Sequence, residues 1–302
     1  MIYRIIQARK IFLSISVLLA TASVVALFVW GLNFGIDFTG GSLLEVQFTN
    51  YQPTVTEIQV ALKDNNLNSL TIQPTAENSV IVRFKDHAES VHQSVLGSLE
   101  KLAKDKQGVT FKELRFDSVG PSIGKELKSK SFNASLLVLV MVIIYISIAF
   151  KKVSKPIASW KYGVAAIIAL LHDIIVTLGV FSFLGHFYGL EINTPFIAAI
   201  LTVLGYSVSD TIIVFDRIRE NLPKSNEDFE NTINRSVNQT LSRSINTSMS
   251  AILALLAILF FGGNTIKDFA LALAVGIFIG TYSSIFIASP VLVIWNNMMK
   301  KK

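Results

Sequence analysis

Gly205-Tyr206-Ser207-Val208-Ser209-Asp210-Thr211-Ile212-Ile213-Val214-Phe215 is an apolar run with one acid inside it, and Asp216-Arg217-Ile218-Arg219-Glu220 is its charged exit. The run belongs to a segment of about residues 194–215, long enough to be read as a membrane-spanning helix. A carboxylate inside such a helix costs roughly 2.5–3.5 kcal/mol on insertion scales. Keeping Asp210 there calls for a role with ions, protons or an internal partner.

Outward from this segment the whole chain has the same character. It has 302 residues, 51% of them hydrophobic, with a mean hydropathy of +0.53, which excludes an ordinary soluble protein and suits a multi-span membrane protein. Six apolar segments stand out, at about 11–32, 132–150, 162–185, 194–215, 243–262 and 269–296. The first is about 20 residues long, which exceeds the ~7–15 of a signal-peptide core, so it is expected to remain as an uncleaved anchor. The net charge of +6 is concentrated beside these segments and therefore speaks of membrane topology, not of nucleic acid. Lys151, Lys152, Lys155 and Lys161 fall between the second and third segments, and Arg217, Arg219, Lys224 and Arg235 between the fourth and fifth. Lys300, Lys301 and Lys302 close the chain. The positive-inside rule then puts both termini in the cytoplasm, with residues about 34–130 on the other side of the membrane.

Three regions follow: a tail and first span (1–33), a polar domain (34–130) and a bundle of five spans (131–302). In the polar domain, 42–48, 70–73, 80–84 and 109–116 have strand character, while 54–66 and 91–103 have helical spacing. Glu77-Asn78-Ser79 is a turn between the second and third strands. The order βαββαβ is that of a ferredoxin-like split unit. The expected fold class is thus an α-helical membrane protein of six transmembrane helices plus a small α+β ferredoxin-like extracytoplasmic domain. Thr194 is the expected cap of the fourth span, with Pro195 in its first turn. Pro290 should kink the sixth, and Gly276 and Gly280 form a small-xxx-small pair suited to close helix contact.

The chemistry that the residues allow is narrow. No cysteine is present, which excludes disulfides and thiolate metal sites. The four histidines form no HxxxH pair; His87 and His92 read as solvated surface side chains. Gly35-Ile36-Asp37-Phe38-Thr39-Gly40-Gly41 lacks the Lys-Ser/Thr of a phosphate loop, so Gly35, Asp37, Gly40 and Gly41 read as a tight turn leading from the first span into the polar domain. No nucleophile–base pair stands out, so no enzyme activity, cofactor or metal is implied. The candidates for proton relay or gating are Asp210, Arg243, His172 and Asp173. Asp210 lies about 9 Å inside the boundary at Asp216, and Arg243 in the first turn of the fifth span is placed to meet it. His172-Asp173 lies about 17 Å beyond Lys161, near the midplane. Ser207, Ser209, Thr211, Asn246 and Thr247, with Ser248 and Ser250, supply hydroxyls and amides around them. The plain alternative is a buried Asp210–Arg243 ion pair that only fixes packing.

Taken together, Gly35–Gly41, Val119-Gly120-Pro121-Ser122-Ile123-Gly124, His172-Asp173, the run Gly205–Asn221 and Ser242-Arg243-Ser244 resemble the SecD/SecF family, on the side of its smaller subunit. The resemblance implies half of an RND-superfamily transporter. It implies a complex with SecD in the bacterial cytoplasmic membrane, working with the SecYEG channel and with YajC on translocating polypeptide, surrounded by membrane lipid. It also implies use of the proton-motive force to advance the exported polypeptide, with Asp210 as the proton-pathway aspartate and Arg243 as a functional arginine. Ser209 stands where the family often has Asn. A proton-coupled exporter of small molecules or lipids, or a structural membrane scaffold, are the competing readings.

Overall fold

The computed structural model describes residues 3–75, 78–149 and 159–300. Glu77, Lys151, Lys152, Lys155, Lys301 and Lys302, which carry part of the turn and topology expectations, lie outside them. In chain order the elements are α1 (Arg9–Val29), α2 (Ile36–Thr39), β1 (Gly41–Phe48), α3 (Val55–Ala61), β2 (Thr71–Pro74), β3 (Ser79–Phe84), α4 (Glu89–Lys104), β4 (Phe111–Val119), α5 (Pro121–Ala149), α6 (Ser159–Tyr188), α7 (Thr194–Asn221), α8 (Phe229–Phe261), α9 (Asn264–Ser283) and α10 (Ser289–Lys300). The chain divides into two compact units, 34–132 and 1–33 with 133–302.

The smaller unit carries a four-stranded antiparallel sheet in the order β2-β3-β1-β4, the arrangement of a ferredoxin-like split unit. Strand alternation explains the core: Leu44, Val46 and Phe48 share one face of β1 and pack with Val80, Val82 and Phe84 of β3. Ile58 and Leu62, then Val95, Leu99 and Ala103 of α4, close over that face. Thr54 and Glu57 start α3 with a capping box, each side chain satisfying the other's backbone N–H. His92 departs from the expectation of a surface histidine. It follows the spacing of Val95 and Leu99 on the buried face of α4, and its ring stacks on Phe116 with 3.6 Å between centroids. His87 is exposed, as expected.

The glycine turn has a steric reason. Gly40 and Gly41 have φ of 72° and 122°, which side-chain-bearing residues rarely adopt. A Cβ on Gly41 would come within 2.7 Å of the Phe84 carbonyl oxygen, and one on Gly124 within 2.9 Å of the Gly40 nitrogen. These glycines let the start of β1 lie against the first turn of α5. Asp37 lies in the first turn of α2, which Gly35 precedes.

Among the described residues, six helices are long and apolar enough to cross a membrane: Arg9–Val29, Pro121–Ile146, Trp160–Tyr188, Thr194–Asn221, Phe229–Phe261 and Ile266–Met298. They are not equivalent. At least half of the apolar windows of the third, fourth and sixth is buried (56%, 50% and 61%), against 17%, 6% and 11% for the first, second and fifth. The former build the interior and the latter present apolar side chains outward. Several boundaries differ from the sequence expectation. Asn193, not Thr194, caps α7, its side chain accepting from the Phe196 N–H at 3.1 Å. The fifth span begins at Phe229, capped by Asp228, so Arg243 lies 14 residues into the helix and not in its first turn. Those added turns are polar but packed: Asn221 of α7 donates to Ser236 and Gln239, and Arg217 to Gln239. Lys161 is not a loop residue; it is buried in the first turn of α6 near the rings of Trp160 and Trp295.

Pro290 acts through a widened turn. Residues Ser284–Ala288 form a π-helical turn between α9 and α10. Proline has no N–H to give to the carbonyl one turn back, and the wider π turn lies just before it in the chain.

Candidate functional site

Small residues bring α9 and α7 together. A Cβ on Gly276 would collide with the Val203 side chain, and one on Gly280 would come within 2.9 Å of the Ser207 Cβ. This close approach gives the expected small-xxx-small pair its physical content. It also places Ser207 in the interior, where the hydroxyl donates to Asp173 Oδ2 at 2.6 Å.

Asp173 on α6 has no exposed surface. Besides Ser207 it accepts from Ser283 of α9 at 2.8 Å, and its other oxygen lies 3.3 Å from His172 Nδ1. His172 is itself buried, and its Nε2 has no hydrogen-bond partner among the described residues. Asp210 on α7 is also buried. Ser244 of α8 donates to its Oδ1 at 2.6 Å, and Ser284 donates to its Oδ2. The two acids are therefore held on adjacent spans by hydroxyls that belong to three different helices.

The structure does not bring Arg243 to Asp210. Arg243 is exposed on the outer side of α8, while Ser244, the next residue, turns inward to the carboxylate. Consecutive helical residues differ by 100° in direction, so both cannot serve the same acid. Asn246, Thr247 and Ser209 are exposed as well, and Ser250 bonds back to its own helix. Thr211 is buried, as is Ser248, which lies 2.5 Å from Thr281 and accepts from Tyr206 at 3.2 Å.

Sequence reasoning missed the segment that ties these groups together. Four consecutive residues, where α9 runs into the π turn, each bond to a different helix. Thr281 meets Ser248 of α8. The Tyr282 hydroxyl donates to the Phe12 carbonyl of α1 at 2.8 Å and accepts from Ser16 at 3.1 Å. Ser283 reaches Asp173 of α6, and Ser284 reaches Asp210 of α7. The signal available in the sequence was Thr281-Tyr282-Ser283-Ser284, four hydroxyl side chains in succession within an otherwise apolar span. Chemically, both buried carboxyls are bonded to hydroxyls, groups that can donate to a carboxylate or accept from a carboxylic acid. Among the described residues no group of three or more His, Asp or Glu is placed to hold a metal ion.

Residues 98–298 match the family described as protein export membrane protein SecD/SecF, C-terminal, and residues 25–50 match the SecD/SecF GG motif. The chain is 43% identical to protein translocase subunit SecF of Thermobaculum terrenum, over 97% of this chain and 94% of that protein. It is 38% identical to that of Haemophilus influenzae, over 93% and 82%. With protein translocase subunit SecDF of Thermus thermophilus the identity is 35%, over 94% of this chain but 37% of that longer one. Among solved structures, it superposes on SecDF from Thermus thermophilus, described as a translocon-associated membrane protein, with a TM-score of 0.84 at 34% identity, covering 98% of this chain and 39% of that one. For SecDF in the Super-membrane-facing form the TM-score is 0.70, also at 34% identity, covering 100% and 40%.

Proposed function

This chain belongs to the SecD/SecF family of protein-export membrane proteins, and we propose that it works as the energy-coupling part of an auxiliary Sec export subunit, with Asp210 and Asp173 as its proton-binding groups. The return of protons across the cytoplasmic membrane drives forward movement of the exported polypeptide. The site performs no covalent chemistry. Six spans, a short α/β domain and near full-length likeness to SecF subunits favour protein export over a small-molecule or lipid exporter.

The observation that carries the reading is the company of Asp210. A packing acid would be neutralised by a cation, because a lone buried charge is expensive. Asp210 has two neutral hydroxyls instead. Such a carboxyl can exist in both states: ionised, it accepts from both serines; protonated, it donates to one of them. One charge crossing 100 mV is worth about 2.3 kcal/mol, and each pH unit about 1.4 kcal/mol per proton, so a few protons supply enough work to move helices. His172, whose Nδ1 lies 3.3 Å from Asp173 and whose Nε2 has no partner among the described residues, extends the relay. Arg243, on the outer face of α8, acts in a different state of the cycle or against a partner's helix.

That partner is SecD. The chain corresponds to little more than a third of the fused SecDF protein, and its first, second and fifth spans turn apolar faces outward. The complex works beside the SecYEG channel, with YajC attached. The basic loops face the cytoplasm and the α/β domain faces outward, where it meets the emerging polypeptide.

The test is export of a preprotein into inverted vesicles under an imposed proton gradient, then under a sodium gradient. Asp210→Asn should abolish the proton-driven part while the complex still assembles. Undiminished proton-driven export by that variant overturns the reading.

A further inference from the structure

We propose that Ser283 and Ser284 form a paired hydroxyl switch through which the two buried acids, Asp173 and Asp210, act on the last membrane helix together. The inference rests on the reading of those acids as proton-binding groups and adds the element that joins them.

Each serine hydroxyl has a single proton and two acceptors within reach. Ser283 Oγ lies 2.8 Å from Asp173 Oδ2 and 3.1 Å from the Gly280 carbonyl of its own helix. Ser284 Oγ touches Asp210 Oδ2 and lies 3.0 Å from the Thr281 carbonyl. When an acid is ionised, its serine donates to the carboxylate. When the acid is protonated, its own O–H donates to the serine oxygen, and the serine proton turns to the backbone carbonyl three residues back. Serine bonds of that kind compete with the helix ladder and bend helices. Two such bonds fall on successive residues, at the mouth of the π turn Ser284–Ala288. The helix is already widened here, and Pro290 removes one N–H that would tighten it.

The flanking residues make this a transmission and not a local wobble. Thr281 is tied to Ser248 of α8, and Tyr282 to Phe12 and Ser16 of α1. Movement at 283–284 therefore loads four helices at once. The groups facing the two acids come from every neighbouring element: His172 of α6, Ser207 of α7, Ser244 of α8, and Ser283 and Ser284. The Tyr282 ring stands 6.4 Å from that of His172. Arg243, the nearby cation of α8, is turned outward.

The sign of the coupling distinguishes this mechanism from simple repulsion between charges. If the segment couples the acids, an ionised Asp173 holds Ser283 and thereby keeps Ser284 seated on Asp210. Removing the Ser283 hydroxyl should then make both acids harder to ionise. Repulsion predicts the opposite for the distant acid, since a more protonated Asp173 would make Asp210 easier to ionise.

The experiment is an infrared titration of the carboxyl bands in the full-length chain within its membrane complex, each band assigned by its Asp→Asn substitution. Ser283→Ala should raise the midpoint of Asp173 by about one pH unit, the loss of one hydrogen bond to a charged group. It should also raise the midpoint of Asp210, which Ser283 does not touch, and Ser284→Ala should do the reverse pairing. Ser283→Thr and Ser284→Thr keep the hydroxyl and should restore both midpoints. If an alanine variant does not assemble, Ser283→Cys gives the same reading with nearly the same shape and a much weaker donor. A fall or no change at the untouched acid overturns the switch while leaving the proton-binding role standing. Absence of any titration of either acid in the unaltered complex overturns both.

Discussion

Gly280 and Ser207 occupy one contact between α9 and α7, in which the missing side chain of the first makes room for the hydroxyl of the second. That hydroxyl is bonded to Asp173. Helix packing and the hydrogen bonding of a buried acid therefore meet at one point and can be separated by mutation. Gly280→Ala should destabilise the chain by about 1–3 kcal/mol, the usual cost of an overpacked contact. Adding Ser207→Gly should restore thermal stability in detergent. Proton-driven export should remain impaired in the double variant, since Asp173 has lost a donor. Full recovery of export would mean that Ser207 serves packing alone.

Arg243 gives a contrasting case. It is exposed and bonded to neither buried acid, so Arg243→Gln should change the stability of the isolated subunit by no more than about 0.5 kcal/mol. Any loss should be seen only in export by the assembled complex. A large drop in subunit stability would show that Arg243 holds the helices together.

Acid sensitivity of the α/β domain should trace to Glu57. The Tyr51 hydroxyl, the Thr54 backbone N–H and Lys106 all bond to its carboxylate and pull it down from an ordinary glutamate to about 2. A group lowered by folding stabilises fully above its unfolded value of 4.5, and that contribution is lost as pH falls towards about 2. Lys106 and Tyr51 are raised, the first chiefly by its bond to Glu57 and the second chiefly by burial, so their contributions are lost on the alkaline side. Glu57→Gln should flatten the acid limb of the domain's stability, followed by amide exchange in the full chain. An unchanged limb between pH 5 and 2 would assign acid sensitivity elsewhere.

The glycine turn offers a paired control. Gly41→Ala forces a Cβ against the Phe84 carbonyl at a φ of 122° and should sharply reduce folded yield. At Gly120 a Cβ meets nothing within 4 Å, so Gly120→Ala should be tolerated. Equal behaviour of the two would remove the steric account of the turn.

The sidedness proposed above can be checked directly. The chain has no cysteine, so single introduced thiols report without background. Lys101→Cys in α4 should react with an impermeant reagent from outside the cytoplasmic membrane, and Lys224→Cys after α7 only from inside. The converse pattern would invert the topology.

How much of this was legible beforehand depends on contrast. An acid in an apolar run is conspicuous, so Asp173 and Asp210 stood out; the sheet was legible because Leu44, Val46 and Phe48 alternate cleanly. Ser283 and Ser284 were not, since hydroxyls enter apolar helices at little cost and attract no notice. Hydropathy alone misplaces Arg243, because the helix starts at Phe229, well before its apolar stretch. The better signal was Asp228, a capping residue ahead of Ile233, Val237 and Leu241 at helical spacing. The buried place of His92 is legible only from its register with Val95 and Leu99 on α4.

The opening residues of the chain have a docking site of their own. Tyr3, Ile6, Gln7 and Arg9 are bonded to Asn238, Asn234, Asn231 and Glu230 on α8, while Ile5 and Ile6 are buried. About 230 residues separate the two sides of that clasp, so at roughly 5–20 residues per second the ribosome needs some 10–45 s to supply the second half after the first. Residues inserted directly before Tyr3 would press on this contact with α8 and interfere with assembly.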